Sequence, residues 1–166
     1  MGRLSLRECR LLVCAGVLLP ATALGLRWLG FRRAKSLLAR LLPLHQPSPG
    51  EDLAARRCHE AARAVAAAAR YGLPRATCLP RSLVLWGLLR RQGIASSLCV
   101  GVRKTGGRVE AHAWVERDGI PLNDTDDVEQ IQKDYDYYGQ IGLPGTPFLL
   151  FNNLPPLLKP LFRDEY

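Results

Sequence analysis

Three side chains in this sequence have the types and settings that acyl-transfer chemistry needs. Cys78 opens an apolar stretch in which Leu79, Leu83, Trp86 and Leu89 recur at helical spacing, closed by Gly93. That pattern predicts a helix from Cys78 to Gln92, with Thr77 as N-cap and Pro80 tolerated in a first turn that has no helical partner for its N–H. A thiol at a helix start faces unpaired N–H groups and the positive end of the helix dipole, both of which favour the thiolate. Arg75 and Arg81, each within a turn, push the same way. The bland alternative is a small buried residue at a helix start, the role read for Cys9, Cys14, Cys58 and Cys99 within helical or strand-like runs.

His112 begins His112-Ala113-Trp114-Val115-Glu116, an alternating strand that puts His112, Trp114 and Glu116 on one face. His45, in a Pro-rich loop, and His59, mid-helix, read as surface residues. A hairpin at Arg117-Asp118-Gly119 supplies a candidate third group. A three-residue loop pairs Glu116 with Ile120, and counting outwards sets His112 opposite Asp124, at a Cβ separation of about 5 Å. A two-residue Asp118-Gly119 turn shifts the register by one and brings Thr125 opposite instead. The three-residue loop is preferred here because it gives the polar hairpin end a chemical purpose. Cys78 is then the expected nucleophile, His112 the base and Asp124 the orienting acid, with Asp126 as the alternative acid.

The elements that must position these residues follow in order. Residues 3–42 read as helix in two pieces bent at Pro20, and the loop over 45–50 leads into an alanine-rich helix. Ser48 as N-cap, Pro49 at the first helical position and Glu51 form its start signal, and Gly72 its stop. After the Cys78 helix the period turns strand-like: Leu98 to Val102, a turn at Thr105-Gly106-Gly107, Val109 to Glu116, and Ile120 to Asn123. In the tail, residues 148–151 could form a short strand. Helices first and an antiparallel sheet after make an α+β layout. The expected divisions are an N-terminal helical segment over 1–47, a catalytic core over 48–130 and an extension of unknown role over 131–166.

The chain carries 23 Lys+Arg against 15 Asp+Glu, for a net charge of +8, unevenly spread. Residues 1–104 hold 18 basic and 4 acidic side chains, whereas residues 105–166 hold 5 and 11. With no nucleic-acid-binding motif to accompany it, that split argues against a nucleic-acid partner. Five cysteines at irregular spacing, without a CxxC pair, argue against a disulfide framework or a structural zinc, and no metal or cofactor is expected. An uncharged run of 16 residues from Leu11 to Leu26 follows Arg3, Arg7 and Arg10. It is shorter than the ~20 residues of a spanning helix. Soluble or membrane-adjacent helices are favoured over an uncleaved anchor or a cleaved signal, which places the protein in the cytoplasm with membrane contact through the N-terminal helices left open.

The run Cys78-Leu79-Pro80-Arg81-Ser82-Leu83, the helix end Arg90-Arg91-Gln92-Gly93, Val100-Gly101-Val102, the HAWVE strand, and Gly119 with Leu122-Asn123-Asp124 together resemble one family. It is the lasso-peptide leader peptidases, McjB C-terminal-like cysteine proteases of transglutaminase-like fold, and the resemblance spans about residues 30–130. It implies a papain/transglutaminase-like fold, with N-terminal helices packed on a small antiparallel sheet and the nucleophile at a helix N-terminus. It further implies a Cys–His–Asp triad at Cys78, His112 and Asp124 and removal of a leader from a ribosomally made precursor peptide. The implied partners are a separate winged-helix, PqqD-like recognition protein, since no strands are read before Ile94, and an ATP-dependent cyclase that closes the lasso ring. The alternatives are another acyl-transfer enzyme of this fold, such as a transglutaminase or amidase, and a non-catalytic binding module.

Overall fold

The computed structural model describes residues 5–43, 49–72, 77–105, 108–123 and 137–141. Three helices come first: α1 (Leu6–Leu41), α2 (Glu51–Tyr71) and α3 (Cys78–Arg91). Strands β1 (Ser97–Thr105), β2 (Arg108–Arg117), β3 (Ile120–Pro121) and β4 (Tyr137–Ile141) follow and form one antiparallel sheet in the order β3-β2-β1-β4. The α+β architecture is the one expected. β4 falls inside the segment read as an extension and completes the far edge of the sheet against β1.

Helix α1 begins at a capping box: Glu8 N–H donates to the Ser5 hydroxyl, while Ser5 N–H donates to the Glu8 carboxylate. The expected bend at Pro20 is not where the helix breaks. Pro20 stays inside it, and the carbonyl it leaves without an N–H partner belongs to Gly16, which is exposed to water. The break is at Gly30, with φ 77° and ψ 172°, a region essentially reserved for glycine. The bend is sharp. A Cβ on Gly25 would lie 3.6 Å from the Cβ of Ala34, although nine residues of straight helix span about 13.5 Å.

Helix α2 starts at Glu51 with Gly50 as N-cap and no side-chain cap bond, so the expected cap chemistry is not what begins it; Ser48 lies outside the described residues. Its stop at Gly72 is as expected. The core gathers Leu19, Phe31 and Leu38 from α1, Cys58, Ala61 and Val65 from α2, Leu83 to Leu85, Leu88 and Leu89 from α3, and Leu98 and Val115 from the sheet. Burying each large side chain there contributes about 1.5–3 kcal/mol. Alanines on α2 let the helices approach closely, and Gly87 does the same on α3: a Cβ there would stand 2.8 Å from Leu42 Cδ1. Arg7 fastens the start of α1 through a hydrogen bond to Gln92 at the end of α3 and an ion pair with Glu60 on α2.

The hairpin between β2 and β3 forms in the register not preferred from sequence. Arg117 pairs with Ile120 and Glu116 with Pro121 across a two-residue turn in which Asp118 has φ 52° and Gly119 φ 77°. Positive φ at both turn residues is what an Asp-Gly pair supplies, and its twist matches that of the strands. The count that set His112 opposite Asp124 rested on the other register. Asp124 and Asp126 lie outside the described residues, as do Arg75, the turn at 106–107 and residues 148–151.

Candidate active site

Cys78 is the first residue of α3, with Thr77 as N-cap. Its half-buried thiol meets His112 of β2 through a hydrogen bond. Two of the expected three residues therefore come together, from elements 34 residues apart in sequence. Burial pushes the Cys78 thiol up. It is outweighed by the His112 hydrogen bond, a backbone hydrogen bond from Ala113, the charge of His112 and a backbone hydrogen bond from Leu79, so the net shift is below the ordinary thiol value. Arg81 is not among these leading influences.

What brings α3 to β2 is the exposed edge of that strand. β3 covers only the last part of β2, so outward-facing groups nearer His112 must bond elsewhere. Val115 N–H donates to Asn123 Oδ1 at 2.8 Å, and Val115 C=O accepts from Leu122 N–H at 2.8 Å. Two residues back, Ala113 C=O accepts from the buried Ser82 hydroxyl at 2.8 Å, and Ala113 bonds the Cys78 sulfur. Asn123 Nδ2 donates to Ser82 Oγ at 3.0 Å, closing the network. The first turns of α3 thus occupy the place of an edge strand. Ser82 lies one helical turn after Cys78 on the same face, so one contact line carries both the clamp and the Cys78 thiol.

The imidazole has a second neighbour on β2. Trp114 stacks on His112 with ring centroids 6.1 Å apart and planes 19° from parallel. The indole is fixed in turn: Trp114 Nε1–H donates to Glu116 Oε1 at 2.7 Å, and both residues are almost completely buried.

Sequence reasoning passed over Ser82 and the Trp114–Glu116 bond. A single hydroxyl inside the apolar run of α3, one turn from Cys78, is the available signal for Ser82. Trp and Glu two apart on one strand face was the signal for the other. Among the described residues, no cluster of three His, Cys, Asp or Glu side chains is placed to hold a metal ion.

A second cysteine shows what the same side chain does elsewhere. Cys58, buried in the middle of α2, borders a cavity of about 270 Å³ lined also by Glu51, His59, Arg117, Ile120 and Leu122. Burial pushes its thiol up; a hydrogen bond and the charge of Arg117 oppose this, while the charges of Glu51 and Asp118 add to it, and the net shift is upward. Arg117 is shared, bonding Glu51 at 2.7 Å and Asp118 at 3.4 Å.

A family model for the transglutaminase-like superfamily matches residues 17–135. No curated protein and no solved structure matches the chain. The chain therefore belongs to the transglutaminase-like superfamily, which includes cysteine proteases and acyl-transferases and usually works through a cysteine.

Proposed function

We propose that this transglutaminase-like protein is a cysteine peptidase that removes the leader from a ribosomally made lasso-peptide precursor. The observation that carries the reading is the Cys78 thiol at the start of α3, hydrogen-bonded to His112 and held below the ordinary thiol value. The lasso-peptide substrate is supported by the motif set around these residues.

In the proposed reaction, the Cys78 thiolate attacks the scissile carbonyl carbon and the carbonyl oxygen becomes an oxyanion. The N–H of Cys78, at the helix start, is the donor positioned to stabilise that charge. Collapse of the tetrahedral intermediate breaks the C–N bond, and the His112 imidazolium protonates the departing amine. Neutral His112 then takes a proton from water, which attacks the thioester. The leader leaves as a carboxylic acid, and thiolate and imidazolium are restored. Asp124 is assigned the role of fixing the His112 tautomer, with Asp126 as the alternative. A separate winged-helix protein delivers the leader, and an ATP-dependent cyclase consumes the freed core peptide.

The test is precursor processing followed by mass spectrometry, with and without the recognition protein. The expected products are a leader with a free carboxylate and a core peptide with a free amine. Cys78→Ala should abolish both. Processing that survives Cys78→Ala, or a leader recovered only as an adduct of an added amine, would overturn the reading. Equal rates with and without the partner would remove the split arrangement alone.

A further inference from the structure

Among the described residues, one face of α1 is left exposed. Between Arg10 and Arg27 its exposed positions are Val13, Gly16, Val17, Ala21 and Leu24. Their spacing places them on a single stripe of the helix, about 16 Å long from Val13 to Leu24. Val13 is 66% exposed, Val17 65% and Leu24 58%, and Trp28, just past the end, is 80% exposed. The opposite face, Ala15, Leu19 and Thr22, is buried. A continuous apolar stripe of this length on a water-facing surface marks an interaction site.

Charge identifies the partner. Residues 9–50 contain six Lys or Arg and no Asp or Glu. Arg10 stands at one end of the stripe, and Arg27, Arg32 and Arg33 at the other, all exposed. An apolar stripe bracketed by cations, with an amphipathic indole at its margin, has the chemistry of an anionic lipid surface. A second copy of the chain fits less well, because a two-fold pairing of this stripe sets the same arginines against one another. The helix is long and apolar enough to cross a membrane. Spanning, however, would tear Ala15 and Leu19 from the core and Arg7 from Gln92 and Glu60.

We propose that the α1 stripe seats the folded protein on an anionic leaflet, with the helix axis parallel to the membrane plane. Val13, Val17 and Leu24 enter the acyl boundary, Trp28 sits at headgroup level, and the flanking arginines pair with lipid phosphates.

The experiment uses the full chain and vesicles of phosphatidylcholine alone or mixed with phosphatidylglycerol. Sedimentation with the mixed vesicles is expected, together with a blue shift of tryptophan emission and quenching by brominated acyl chains. Trp28→Phe should remove the lipid-dependent emission change. Val17→Glu combined with Leu24→Glu should cut binding at least tenfold with the thermal midpoint unchanged, since both positions face outward. Each of Arg27→Gln, Arg32→Gln and Arg33→Gln should lower affinity for the mixed vesicles about fivefold. Equal binding to both vesicle types, or a double variant that binds lipid normally but loses a dimer present in the parent, would overturn the proposal. None of these variants touches Cys78 or His112, so failure here leaves the peptidase reading standing and the reverse also holds.

Discussion

Cys78 and Cys58 form a natural experiment within one chain. Each lies on a helix, each loses water on folding, and each bonds a basic side chain from β2: His112 in one case, Arg117 in the other. Their thiols nonetheless move in opposite directions. At the start of α3 the sulfur gains backbone hydrogen bonds from Leu79 and Ala113 besides the imidazole. In the middle of α2 every backbone N–H is already committed to the helix, and the Arg117 cation is divided between Glu51 and Asp118. A base nearby is therefore not enough. Position at a helix end, next to a strand edge with bonds still to make, separates the lowered thiol from the raised one.

The largest expected effect separates the two basic partners. In the proposed reaction, His112→Ala should lower kcat/KM for precursor cleavage about a thousandfold or more, because the proposed base, acid and thiolate partner are lost together. Arg117→Ala should leave cleavage within about twofold of the parent. A comparable loss in both variants would mean that the Cys58 side of the molecule also takes part in the chemistry.

A pH series of alkylation sharpens the contrast. Only the thiolate reacts, so a lowered pKa moves the onset of reactivity to lower pH. Cys78 should react with iodoacetamide with a midpoint below the ordinary ~8.5, and Cys58 with a midpoint above it. In His112→Ala the midpoint of Cys78 should rise, since burial remains while the imidazole's contribution is gone. Peptide mapping of the labelled sites gives each midpoint separately.

The smallest effect concerns the clamp. Ser82→Ala leaves the Ala113 carbonyl and the Asn123 amide without their partner and should destabilise the fold by about 1–3 kcal/mol, read by denaturant unfolding. Because Ser82 acts through placement, kcat should fall and the Cys78 alkylation midpoint should rise, with KM little changed. Ser82→Thr, which keeps the hydroxyl, should recover part of both. Loss of stability with an unmoved midpoint would reduce Ser82 to a packing residue.

How legible this was depended on whether the signal was local. The start of α3 at Cys78, the stops at Gly72 and Gly93, and the His112–Glu116 alternation are short-range rules about caps and periods, and they held. The Asp118-Gly119 turn obeys a local rule too: positive φ at both residues favours the two-residue register over the three-residue loop that would set His112 opposite Asp124. The elbow at Gly30 was hidden behind Pro20. Proline announces itself, but a proline whose orphaned carbonyl can reach water need not break a helix, whereas a glycine forced to φ 77° must. Nothing local in Tyr137–Ile141 states which edge it joins. The Ser82–Asn123 bond, 41 residues long-range, exists only once helix and hairpin have met.

The shortness of β3 has a final consequence. Two residues of strand leave the outer edge of β2 open, and open edges invite other chains to add a strand. Here the start of α3 covers that edge at Ala113, through Ser82 and Cys78. Any opening that withdrew α3 from Ala113 would remove a hydrogen bond that lowers the Cys78 thiol and, in the same motion, uncover a template for aggregation. Guarding against self-association and keeping the site assembled are then one requirement, and a loosened α3 should leave the Ala113 amide among the first in this sheet to exchange its hydrogen with solvent.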